Sequence, residues 1–114
     1  METALMRLLE VDGVLGALLL SQDGLPVASA NLDNEEAETV GALATAMLAS
    51  LRSTTDRLAA GDLQAARLTL EGGCIDIRIV QDLLLLLFHT ADVDEATLTA
   101  VLPAVTEECL EFAL

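Results

Sequence analysis

A chain of 114 residues and 12.0 kDa has room for one domain, and two separate cores are excluded. Its apolar content of 54%, about 60% once the glycines join it, exceeds the ~45–50% usual for soluble domains, so it carries more apolar side chain than a small interior uses. Nineteen acidic residues against five arginines and no lysine give a net charge of −14, which opposes a phosphate backbone or an anionic membrane and argues against nucleic acid as a partner.

Leu5, Leu8 and Leu9 share one helical face and Asp12-Gly13 ends it, which predicts a short helix over 3–11. Val14 to Leu20 is an apolar run between Gly13 and the turn residues Ser21-Gln22-Asp23-Gly24, and it reads as a buried strand. Leu25 to Ala30 is its hairpin partner. Pro26 has no N–H to give a ladder, so this strand is expected at a sheet edge.

A long helix is predicted over 35–60, opened by a capping box of Asp33 and Glu36 and closed by Gly61. At about 100° per residue, Val40, Leu43, Ala44, Met47, Leu51 and Leu58 form a stripe expected to cover a sheet. Ala42, Thr45, Ala46, Ala49 and Ser53 form a second stripe, of small residues that let another backbone come close. It is expected to be a second packing face, although exposed alanines also simply favour helix.

Beyond Gly61 the period changes to two. Leu63 to Leu70, a turn at Glu71-Gly72-Gly73, and Cys74 to Val80 make a hairpin in which Ile75, Ile77 and Ile79 alternate with Asp76 and Arg78, predicting one solvated face. Leu83 to Phe88 is continuously apolar and is expected to be a central strand covered on both faces. Asp92 with Glu95 repeats the capping signal before a last helix through Ala96, Leu98, Val101, Leu102, Val105 and Leu110, which Pro103 is expected to kink. The order is α-β-β-α-β-β-β-α, an α+β domain over residues 1–114.

The chemistry-bearing residues are sparse. Cys74 and Cys109 lie far apart with no CxxC spacing, which fits a reducing, cytoplasmic setting and thiols that fill apolar space. Met1 to Glu10 lacks the basic flank of a signal peptide, and the longest apolar runs fall short of the ~20 residues that cross a bilayer. Without lysine the GxxxxGK[ST] loop is impossible; GxGxxG and GxSxG are absent, and the GxxG of Gly13 to Gly16 has no basic residues around it. His89, Asp92, Asp94 and Glu95 do not match a calcium loop, because Thr97 stands where a glycine is needed; they read as a helix cap and a lone titratable side chain. Arg52 and Arg57 on the long helix are the candidates for an arginine finger, but Arg52 and Asp56, at i, i+4, can pair on a solvated face. No catalytic residue, metal or cofactor is expected, and no enzyme.

Leu8-Leu9-Glu10-Val11-Asp12-Gly13-Val14-Leu15-Gly16-Ala17, followed by Ser21-Gln22-Asp23-Gly24-Leu25-Pro26-Val27-Ala28, resembles the opening of the roadblock/dynein light chain domain family. Gly72-Gly73, the Ile-rich strand and the Leu-rich strand after Asp82 fall where that family has its second hairpin, and the likeness covers nearly the whole chain. The resemblance, nearest to bacterial single-domain members of the MglB type, implies a profilin-like sandwich. Its five-stranded antiparallel sheet would carry the long helix on one face and the terminal helices on the other. It implies a homodimer with one continuous sheet, joined through the third strands and the long helices. Leu63, Ala65, Arg67 and Thr69 would then lie at the seam, with Ala42, Thr45, Ala46, Ala49 and Ser53 near the helix contact. It also implies a non-enzymatic platform that binds and regulates a small Ras-like GTPase, with Glu38, Arg52, Asp56 and Arg57 as possible contacts. The alternative is a light-chain-like structural adaptor with no effect on GTP turnover. A small-molecule sensor would need a cavity with polar lining, which the strands do not promise.

Overall fold

Eight elements follow one another: α1 (Glu2–Leu9), β1 (Val14–Ser21), β2 (Pro26–Ala30), α2 (Asn34–Leu58), β3 (Ala65–Leu70), β4 (Gly73–Val80), β5 (Leu83–His89) and α3 (Glu95–Ala113). The structure, a computed structural model, describes residues 2–113. The strands form one antiparallel sheet in the order β2-β1-β5-β4-β3. The all-apolar β5 takes the centre, and Pro26 lies in the edge strand β2, as its missing N–H requires.

Alternation along the strands builds two cores. Ala17, Leu19, Leu85 and Leu87 point to one face and pack with Leu5 and Leu8 of α1 and with Leu98, Leu102, Val105 and Cys109 of α3. Leu18, Leu20, Ile77, Leu84 and Leu86 point to the other and are covered by Ala37, Ala44 and Leu48 of α2. Arg7 pairs with Glu108, tying α1 to α3.

Four expectations change. Asp33 does cap α2, accepting from the Glu36 N–H at 2.7 Å, but the helix closes on Ala59 in the left-handed conformation, two residues before Gly61. The side of α2 that meets the sheet is Ala37, Gly41, Ala44 and Leu48, a rotation away from the larger stripe. Val40 and Met47 are only partly buried, Leu51 is exposed, and Leu43 and Leu58 are 66% and 68% exposed. The reason is a close approach. Gly41 lies so near the β1–β2 turn that a Cβ there would stand 2.6 Å from the Gly24 carbonyl oxygen, and only the smallest residues fit between helix and turn. The face of β4 expected to be solvated lies beneath α3, with Asp76 4% exposed and Arg78 half-buried. Finally, the α3 cap is Asp94, which accepts from the Thr97 N–H and hydroxyl, whereas Asp92 accepts from the Thr90 hydroxyl; Pro103 lies inside α3, as expected.

Candidate functional site

The two edges of the sheet differ. β2 is five residues long, begins with proline and has an irregular register, all of which blunt it against further pairing. β3 pairs with β4 on one side only, has a regular register over Ala65 to Leu70 and contains no proline. Its Leu70 is 57% exposed, while Ala66 and Leu68 are half-buried on the α2 side of the sheet beside Ile75 and Ile79. The flank of α2 on the side away from β2 carries Val40 and Met47, partly buried against this core, and Leu43, Leu51 and Leu58, which are exposed. An open strand edge and exposed leucines on one flank of α2 are thus both left uncovered. The chain exposes 6,784 Å², about 800 Å² more than the monomer scaling for its mass.

The small-residue stripe lies elsewhere. Ala42, Ala46, Ala49 and Ser53 are exposed, with Ala49 beside Gln22 of the β1–β2 turn and Glu38 beside Pro26 to Ser29, on the β2 side of the helix. Thr45 belongs to the fold itself: half-buried against Gly24, its hydroxyl donates to the Gly41 carbonyl at 2.9 Å. Ala65 and Thr69 sit exposed on β3, and Leu63 is half-buried before it. Glu38, Arg52, Asp56 and Arg57 are all exposed on α2. Among the described residues neither Arg52 nor Arg57 makes an ion pair, so the i, i+4 pairing with Asp56 does not form.

Arg67 anchors a polar network that the sequence reading missed. Its side chain turns from the β3 edge to the α3 side of the sheet. There Nε donates to Asp76 Oδ1 at 2.6 Å, Nη2 to Asp76 Oδ2 at 3.0 Å and Nη1 to Glu95 Oε1 at 2.6 Å. Asp76 Oδ2 also lies 2.9 Å from Nε2 of His89, a residue 1% exposed whose Nδ1 donates to the Thr90 carbonyl at 2.8 Å. His89 is therefore no lone side chain. Burial pushes the Asp76 carboxyl up, but the hydrogen bonds from Arg67 and His89 outweigh it and hold it below the usual aspartate range. Burial likewise pushes the Cys109 thiol up, away from reactivity.

The signal for this network was in the hairpin. With a two-residue turn at Glu71-Gly72, counting back pairs Arg67 with Asp76. A three-residue turn that pairs Leu70 with Cys74 sets Arg67 opposite Ile77, and the partnership disappears. Among the described residues no group of three His, Cys, Asp or Glu side chains could hold a metal, and no helix is long and apolar enough to cross a membrane.

The family model for the Roadblock/LC7 domain matches residues 1–90, which is most of the chain. The chain belongs to the Roadblock/LC7 family. An uncharacterized protein of Methanocaldococcus jannaschii is 32% identical over 72 residues, covering 63% of this chain; the match spans 61% of that relative's length. A roadblock/LC7 domain from Streptomyces avermitilis superposes with a TM-score of 0.90 at 22% identity, over 99% of this chain and 97% of that one. Myxococcus xanthus MglB superposes with a TM-score of 0.85 at 12% identity, over 97% and 92%. These structural likenesses establish a roadblock sandwich, with the long helix on one face and the terminal helices on the other.

Proposed function

We propose that this roadblock chain is a homodimeric regulatory platform that docks a small Ras-like GTPase and biases its nucleotide state. The observation that carries the reading is the regular, unpaired β3 edge together with the exposed leucines on one flank of α2. A second copy related by a two-fold axis would extend the sheet through β3 and cover Leu43, Leu51, Leu58 and Leu70 at once, because such an interface is self-complementary. The helix part of the seam is then Leu43, Met47 and Leu51. The stripe of Ala42, Ala46, Ala49 and Ser53, on the β2 side or pointing away from the sheet, stays free for another partner.

The likeness to MglB in fold supports a platform that acts through binding. Glu38, Arg52, Asp56 and Arg57, exposed on α2 beside the small-residue stripe, are the charged groups offered to the GTPase. Such a platform changes turnover only if it binds one switch conformation better than the other. The free, buried thiols of Cys74 and Cys109 fit action in a reducing, cytoplasmic compartment.

The test is binding of Ras-like GTPases encoded near its gene, loaded with GDP or a non-hydrolysable GTP analogue, together with GTP turnover in their presence. Tighter binding of one state, weakened by paired Arg52→Glu and Arg57→Glu substitutions, is the expected outcome. Equal binding of both states with unchanged turnover would make the chain a structural adaptor instead, and no binding in either state would refute the docking reading.

A further inference from the structure

A cavity of about 420 Å³ lies on the face of the sheet opposite α2, between the β3–β4 hairpin and α3. Gln64, Arg78, Thr99, Leu102, Pro103 and Thr106 line it. Arg78 is its one cationic group. Among the described residues Arg78 makes no ion pair, and its Nε, out of reach of water, has no hydrogen-bond partner. That is unexpected in a chain with nineteen acidic residues. Asp76 and Glu95, carboxylates on this face, are both taken by Arg67.

A half-buried guanidinium with no acid paired to it, two threonine hydroxyls and an apolar wall make a site that has an anion's requirements on one side and a hydrocarbon's on the other. We infer that this cavity binds a small monocarboxylate, its carboxylate on Arg78 and its short carbon chain against Leu102 and Pro103. The planar fork of arginine matches a carboxylate in geometry and strength. One cation within a net charge of −14 neutralises one negative charge, so a phosphate dianion fits poorly. A ligand held by Arg78 of β4 and by Thr99 or Thr106 of α3 clamps the last helix to the sheet. The inference does not depend on the GTPase, because the cavity and the exposed surface of α2 are on opposite faces.

The experiment is an amide-resolved NMR titration of the whole chain with sodium butyrate at constant ionic strength, beside the isosteric neutral butyramide and inorganic phosphate, with melting followed in parallel. Butyrate is expected to give saturable shifts around Arg78, Thr99 and Thr106 and to raise the melting temperature. Butyramide and phosphate are expected to do neither. Arg78→Gln should weaken butyrate about tenfold or more, and Thr106→Val severalfold, with both spectra otherwise native. Should Arg78→Gln misfold, Arg78→Lys tests the same point, since it keeps the charge and loses the fork. Butyramide binding as well as butyrate, butyrate binding the Arg78 variants undiminished, or no saturable shift by ~50 mM butyrate would each overturn the inference.

Discussion

Asp76 is the residue on which most depends beyond the apolar core. It accepts two hydrogen bonds from Arg67 and faces His89, so one carboxylate joins the edge strand β3, the strand β4 and the end of β5; Arg67 then reaches on to α3. Asparagine in its place removes the charge and turns one acceptor oxygen into a donor, so Arg67 and the buried His89 lose their shared carboxylate. Asp76→Asn is therefore expected to cost on the order of 3 kcal/mol in urea unfolding. Because the folded-state carboxyl titrates below its unfolded value, its contribution is complete above the usual aspartate range near ~4 and is lost as pH falls through the lowered value. Stability measured down the acid limb should consequently decline less steeply in Asp76→Asn than in the parent. A slope unchanged by the substitution would show that Asp76 is not held in this way. The types of these residues were plain in the sequence. Their partnership was not, because a one-residue difference in the turn at Glu71-Gly72 moves every side chain of β3 relative to β4.

At the scale of the element, α2 shows why an apolar stripe does not by itself name the buried face. Periodicity and caps place the helix within two residues of its observed ends, since both are local properties. Its rotation is decided by what it meets. Large side chains at Leu43 and Leu51 would bury more area, but the approach of Gly41 to the Gly24 carbonyl holds the small-residue side against the turn. Gly41→Ala separates the two influences. Helix propensity alone favours alanine by ~1 kcal/mol, whereas a Cβ 2.6 Å from a backbone oxygen forces helix and turn apart. The substitution is expected to lower stability by about 1–3 kcal/mol, read as an earlier denaturation midpoint. A later midpoint would mean that the contact yields and that propensity governs. The same reasoning applies to β4, whose alternation of Ile with Asp and Arg resembles a half-solvated strand although α3 covers its polar face.

For the whole molecule, the surplus of apolar residues and the charge of −14 act in opposite directions on assembly. In the proposed dimer the β3 edge and the α2 flank would draw two copies together, while two such charges repel. Added salt should therefore tighten the dimer over the range where the Debye length falls from about 30 to 10 Å, the reverse of its effect on an interface held by ion pairs. Leu43→Glu is expected to shift the mass in light scattering from twice 12.0 kDa to 12.0 kDa while the monomer stays folded, because Leu43 is 66% exposed. Ala49→Glu, on the β2 side, should leave the dimer intact. Dissociation by Ala49→Glu and not by Leu43→Glu would place the seam on the small-residue stripe instead.

The sequence alone determined the number and order of elements, the central place of Leu83 to Phe88, the edge position of the strand carrying Pro26, and the family. The elements and their places follow from local chemistry, namely alternation, caps, a missing N–H and runs of apolar side chains, and the family follows from the resemblance of the ordered motifs. Only the tertiary structure decided which side of α2 meets the sheet, that Asp76 lies buried between Arg67 and His89, and that Arg78 faces a cavity without an acid beside it. These depend on the close contact of two glycines, on hairpin register and on the path of α3 across β4. All three are relations between segments distant in the chain, fixed when the layers pack and not by the residues of any one element.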